Sequence, residues 1–127
     1  MDKVRLIRIL IVEDHTMIRE GLKSNLRSYP NIDIVGEASN GDEALAKISE
    51  LQPAVVVMDI VMPKLDGIAT TRILKSQYPH IAVVGLSSHA KTYEVNAMLE
   101  AGAFQVIMKD KAVDDLYKVI QRAAEGI

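Results

Sequence analysis

The chain of 127 residues has no cysteine and no tryptophan. Without thiols there are no disulfides, no zinc–thiolate sites and no cysteine nucleophile, as suits a cytoplasmic protein. The 15 Lys and Arg are set against 17 Asp and Glu. They are scattered and form no basic run, which argues against the chain gripping nucleic acid by itself. No apolar stretch reaches the ~18 residues a membrane helix needs, and the N-terminus lacks a signal-peptide pattern. No membrane contact is therefore expected. Glycine is sparse where a nucleotide fold needs it. The first one after the opening apolar run is Gly21, so there is no G-x-G-x-x-G. There is also no G-K-[ST], no G-x-S-x-G and no H-E-x-x-H, which removes the dinucleotide, P-loop, esterase and zinc-protease readings. His15, His80 and His89 lack ligand spacing and read as surface residues.

Hydrophobic residues make up 49% of the chain and charged residues 25%. That is enough for one well-buried domain, and the length is too small for two. Five apolar runs, at 6–12, 32–38, 54–58, 81–86 and 104–108, read as strands 1 to 5. Four are almost continuously apolar, as expected of strands covered on both faces. The second is broken by Asp33 and Glu37 and reads as an edge strand. Five helical patterns, helices 1 to 5, alternate with them at 15–28, 40–51, 66–78, 91–102 and 112–126. The first carries Ile18, Leu22 and Leu26 on one stripe, and the last carries Val113, Leu116, Val119 and Ile120. Asn40 is an N-cap candidate and Gly102 a C-cap signal, while Pro30, Pro53 and Pro79 follow the first three helices. Strict β-then-α alternation predicts an α/β fold, a flavodoxin-like (βα)5 doubly wound parallel sheet with strand order 2-1-3-4-5.

In that order strands 1 and 3 are neighbours, and ligands bind at the carboxyl ends of the strands. Strand 1 ends in Glu13 and Asp14, strand 3 in Asp59, strand 4 in Ser87 and strand 5 in Lys109. Singly, each has a plain reading as a cap, a turn or a solvated loop residue. Together, three acids, a hydroxyl and an ammonium leave one sheet edge. Clustered carboxylates repel unless a cation joins them, and oxygen ligands favour Mg²⁺ or a similar hard ion such as Mn²⁺. Mg²⁺ typically takes carboxylates plus a phosphate oxygen, an Asp can itself be the nucleophile, and a Lys can neutralise the transferring group. The expected chemistry is phosphoryl transfer.

These segments resemble the receiver domain of two-component response regulators: "ILIVEDH" (9–15), "VVVMDIVMPKLDG" (55–67), "VVGLSSH" (83–89) and "EAGAFQVIMKD" (100–110). "GEASNGDEAL" (36–45) and "LKSQYPHIAVVGLSSH" further resemble the NarL/FixJ-like branch, whose members usually carry a C-terminal helix-turn-helix of the LuxR type. The resemblance implies that Asp59 is the phosphoacceptor and that Glu13 and Asp14 hold Mg²⁺ with the Val61 carbonyl. It makes Ser87 the switch hydroxyl and Lys109 the phosphate-contacting lysine. The donor would be a sensor histidine kinase, a phosphotransfer protein or a small acyl phosphate. The chain would be no conventional enzyme, limited to its own phosphorylation and dephosphorylation. Residues 1–127 are expected to be the receiver, with the output domain, and any DNA contact made through it, absent from this chain. Homodimerisation is expected through helix 4, strand 5 and helix 5, or through helices 1 and 5.

Kinase docking is expected at His15, Thr16 and Arg19, beside the acidic pair and off the apolar stripe. The family's usual aromatic residue three positions before the lysine is replaced by Val106, too short to act as a gate. Switching is then expected to move the loop after strand 4 and helix 4, with Tyr93 or Phe104 as candidate substitute rings. Two other readings are a stand-alone receiver acting by protein contacts and a small Mg²⁺-dependent phosphatase. The latter would want D-x-D at its nucleophile, where Val61 stands, and a cap for which no segment is spare.

Overall fold

Alternate residues of each central strand face opposite layers of helices, which is why the strands are apolar without a break. The computed structural model describes residues 5–88 and 92–126. Its elements run β1 Ile7–Val12, α1 Thr16–Arg27, β2 Ile32–Ala38, α2 Gly41–Leu51, β3 Val55–Asp59, α3 Gly67–Gln77, β4 Ala82–Ser87, α4 Thr92–Glu100, β5 Gln105–Met108 and α5 Ala112–Glu125. A 3₁₀ turn, Lys109–Lys111, joins β5 to α5. The five strands are all parallel, in the order β2-β1-β3-β4-β5. This is the expected doubly wound topology, with the more polar β2 at one edge.

On one face Ile9 and Ile11 of β1 and Val55 and Val57 of β3 pack with Leu22 and Leu26 of α1 and Leu116 and Ile120 of α5. On the other, Leu10, Val12, Val56 and Met58 pack with Ile48 of α2, Leu74 of α3 and Met98 of α4. Burial of such side chains at about 25 cal/mol per Å² is the main stabilising term. Asn40 caps α2 by accepting from the Glu43 N–H at 2.9 Å, and Asp66 caps α3 through the Ala69 N–H at 2.9 Å. Gly102 adopts φ 117°, a left-handed conformation open to glycine, just past the end of α4.

The expected apolar face of α5 needs one correction. Val113 is exposed, and Ala112 and Ala123 are buried in its place. The helix is rotated so that its small residues meet α1 and the sheet, and the stripe begins one residue earlier than its larger side chains suggest. Helix 4 was expected from Lys91, which lies outside the described residues, as does His89.

Candidate functional site

Parallel pairing of β3 between β1 and β4 brings three strand ends level. Val12 lies opposite Met58, and Asp59 opposite Leu86. The next residues leave the sheet together. Glu13 is fully buried, Asp59 and Ser87 nearly so. The segment 60–67 folds back over the end of β3. The Gly67 N–H bonds to the Ile60 carbonyl at 2.8 Å, and a β-carbon on Gly67 would overlap the Asp59 carbonyl. Glycine is required there by this close approach.

Lys109 enters from the 3₁₀ turn after β5. Its Nζ lies 2.7 Å from Glu13 Oε1 and 3.1 Å from Asp59 Oδ2. The Asp59 contact is a hydrogen bond. The Glu13 contact is a close ion pair, and Asp14 Oδ1 is a buried oxygen that accepts no hydrogen bond. Asp59 Oδ1 accepts only a long bond from the Val61 N–H, 3.3 Å. His15 closes the other side of the cluster. Its backbone N–H and its Nδ1 each lie 3.1 Å from Glu13 Oε2, and Nδ1 lies 3.4 Å from Asp14 Oδ1. Glu13, Asp14, His15 and Asp59 each offer one ligand atom, all within 4.8 Å of one another. A cavity of about 220 Å³ opens on this edge, lined by His15, Asp59, Val61, Ser87, Glu94 and Lys109 among others.

Burial and charge set the ionisation of the group. Burial, then the Glu13 charge, pushes the Asp59 carboxyl up to about 7, against the pull of Lys109. Burial would raise Glu13 too, but Lys109 and the His15 N–H outweigh it and hold Glu13 below the ordinary carboxylate range. Burial favours loss of the Lys109 proton, yet the two carboxylates win and hold it above its ordinary value. The cluster is short of positive charge: one ammonium faces three acids.

Every strand-end residue expected at this edge is brought to it. Arg19 is a different matter. Its guanidinium turns inward, 2.6 Å from the Glu13 carbonyl and 2.8 Å from Glu37 Oε1. Lys23 reaches the other Glu37 oxygen at 2.7 Å. The glutamate that interrupts the apolar pattern of β2 is thus held by two cations of α1, one of which, Arg19, also holds the Glu13 carbonyl. His15 and Thr16 are exposed.

Val106 packs in the layer of α2, α3 and α4, half-buried. Tyr93 is 69% exposed, and Phe104 lies in the opposite layer beneath the Arg122 guanidinium, 5.9 Å away. The space beside Val106 is taken by Met98 of α4. A β-carbon on Gly85 would meet Met98 Cγ and Val106 Cγ2, both at 3.2 Å, and the Thr71 hydroxyl donates to Met98 Sδ at 3.6 Å. Met98 was not singled out from the sequence, because an apolar residue on a helical stripe reads as ordinary core. His15, read from the sequence as a surface residue, is exposed, and its place beside the acidic cluster follows from the turn between β1 and α1.

Residues 9–121 match the family described as response regulator receiver domain. The chain is 36% identical over 120 residues to the response regulator VraR of Staphylococcus aureus, covering 94% of this chain and 57% of that protein. It therefore spans little more than half the length of the curated relatives it matches. The signal receiver domain of NarL from Mycobacterium tuberculosis superposes with a TM-score of 0.91 at 28% identity, over 97% of this chain and 99% of that one. A LuxR-family response regulator from Aurantimonas sp. SI85-9A1 gives 0.90 at 28% identity, over 95% and 86%. With this topology and these relatives, the chain belongs to the receiver domains of two-component response regulators, in company with the NarL- and LuxR-type members.

Proposed function

We propose that the domain is a phosphorylation-dependent switch in which Asp59 accepts a phosphoryl group from a phosphohistidine on a sensor kinase or phosphotransfer protein, or from a small acyl phosphate. The observation that carries this reading is the pairing of a buried Asp59 with Lys109, 3.1 Å away, at the mouth of a cavity rimmed by further carboxylates.

The donor set suits a hard divalent ion. Glu13, Asp14 and Asp59 offer carboxylate oxygens, and the buried Asp14 Oδ1 accepts no hydrogen bond. Glu13, Asp14, Asp59 and the Val61 carbonyl would hold Mg²⁺ or Mn²⁺, which when bound supplies charge neutralisation for the incoming phosphoryl oxygens. The chain's own residues do the rest. An Asp59 oxygen attacks phosphorus in line, forming the acyl phosphate bond. The P–N or P–O bond to the donor breaks, and its electron pair leaves with the donor. Lys109, kept charged by Glu13, moves from the carboxylate to a phosphoryl oxygen, and Ser87 donates its hydroxyl to another. Hydrolysis reverses the loading when water attacks the same phosphorus.

Sensor-kinase docking is assigned to the exposed start of α1 at His15 and Thr16. Arg19 contributes from behind, holding the Glu13 turn. The output is regulation of transcription through a helix-turn-helix partner domain of the NarL/LuxR type, with homodimerisation through α4, β5 and α5 or through α1 and α5. Among the described residues no helix is long and apolar enough to cross a membrane. The test is the intact mass after incubation with acetyl phosphate and Mg²⁺. One phosphoryl group per chain is expected, absent from Asp59→Asn and abolished by chelator. Labelling of the Asn variant would refute the assignment.

A further inference from the structure

We propose that the turn joining β2 to α2 is a positioning element for phosphoryl transfer, with Gly41 as its key residue. It sets where the segment carrying Val61 stands relative to the Glu13–Asp14 turn. This rests on the reading that Asp59 accepts the phosphoryl group, and adds a residue outside the cluster on which the geometry of that site depends.

The site is assembled from two separate parts of the chain. Glu13 and Asp14 leave β1, while Asp59 ends β3 and Val61 follows it. The turn at 38–41 touches both parts. On one side the Glu13 N–H donates to the Ala38 carbonyl at 3.0 Å. On the other the Gly41 N–H donates to the Leu65 carbonyl at 3.3 Å.

The second contact requires glycine. A β-carbon on Gly41 would overlap Thr70 Oγ1 and stand 2.6 Å from the Leu65 carbonyl oxygen, closer than real β-carbons come. Neither neighbour is free to give way. Thr70 is fully buried, and its hydroxyl donates to the Asp66 carbonyl at 2.6 Å. The Leu65 oxygen is backbone, and Lys64 before it already holds φ 65°, a left-handed conformation that is costly for a residue with a side chain. The Gly67 N–H ties the far end of the segment to the Ile60 carbonyl. A push at Leu65 is therefore passed along 60–67 to Val61.

The turn is stiff enough to transmit position. Glu43 accepts from the Ser39 hydroxyl at 2.9 Å, and Lys47 holds both Glu43, at 3.0 Å, and the Glu37 carbonyl, at 2.7 Å. A stiff turn in contact with both parts of a site fixes their separation. Reaction rate depends steeply on such placement, and an error of ~1 Å can cost on the order of a hundredfold.

The test compares Gly41→Ala with Leu26→Ala, a core truncation in the opposite layer that destabilises the fold away from the turn. Each is labelled with acetyl phosphate at one Mg²⁺ concentration and followed by intact mass, and backbone amide exchange is read separately without metal. Gly41→Ala is expected to label about tenfold more slowly than the wild type, with altered amides across 60–67 and at Glu13. Leu26→Ala should label at the wild-type rate. Adding Thr70→Ala to Gly41→Ala removes the worst overlap and should recover roughly threefold of the lost rate. Glu43→Ala loosens the turn without adding bulk, and keeps the inference testable if Gly41→Ala does not fold. In that variant exchange should rise at 38–41 and at 60–67 together. Equal slowing in Gly41→Ala and Leu26→Ala, or exchange that rises at 38–41 in Glu43→Ala with 60–67 unchanged, overturns the inference while leaving the phosphoacceptor reading intact. A wild type that takes no phosphoryl group on Asp59 overturns both.

Discussion

Replacing Asp59 with Asn should stabilise the metal-free domain, by an amount that grows with pH. Asp59 is buried, and its carboxyl is pushed from the ordinary 3.8 to about 7 by burial and by Glu13. In the unfolded chain it ionises near its ordinary value. Between the two values the unfolded state has lost a proton that the folded state keeps, so wild-type stability falls as pH rises through this window. At roughly 1.4 kcal/mol per pH unit, the gap amounts to about 4 kcal/mol above pH 7. Asn carries no such proton. The variant should differ from the wild type by less than about 1 kcal/mol near pH 4, where the folded Asp59 carboxyl is protonated and the unfolded one is only about half ionised. It should exceed the wild type by about 3–4 kcal/mol at pH 8, or roughly 10 °C in Tm for a domain this size. Urea unfolding followed by far-ultraviolet circular dichroism, at pH 4, 6 and 8 with chelator present, measures the difference directly. Adding Mg²⁺ should stabilise the wild type more than the variant and narrow the gap. A difference that is flat with pH, or an Asn variant less stable at pH 8, would refute the electrostatic account of this edge.

Removing Glu13 and Asp14 together, as Gln and Asn, should weaken Mg²⁺ binding; with no Trp to report it, calorimetry or amide shifts must read the loss, and unchanged affinity refutes the metal role. Lys109→Met leaves fully buried Glu13 without its cation, so a cost of about 3–5 kcal/mol in denaturant unfolding is expected, together with loss of acetyl phosphate labelling. Arg19→Glu should impair labelling by kinase and by acetyl phosphate alike, because Arg19 holds the Glu13 turn; a defect with the kinase alone would assign it to docking instead. Met98→Ala should cost about 2–5 kcal/mol by opening a cavity. In the wild type, beryllofluoride should shift amides along α4 and change partner affinity about five-fold or more; shifts confined to the Asp59 edge would show that Val106 leaves the switch uncoupled.

The sequence by itself determined the layout. A strand covered on both faces has to be apolar at nearly every position, so the runs ending at Val12, Met58 and Leu86 declared themselves as interior parallel strands, and Asp33 and Glu37 marked the edge. Prolines and the Asn40 cap placed the helix ends, because backbone rules act locally. Once the polar second strand is set at the edge and crossovers are right-handed, the convergence of Glu13, Asp14, Asp59, Ser87 and Lys109 is a matter of topology, legible without coordinates. The tertiary structure alone decided what depends on direction and distance. Arg19 could have faced a partner, but Glu37, 18 residues further on, draws it inward. His15 could have pointed to solvent, but the turn into α1 aims its Nδ1 at two carboxylates. Val106 gave notice of a missing ring, yet only packing identifies Met98 as the side chain beside it, because a flexible thioether fills whatever gap its neighbours leave. Periodicity fixes which residues share a face; side-chain torsions and cross-element distances, set by residues far apart in the chain, fix which of them touch.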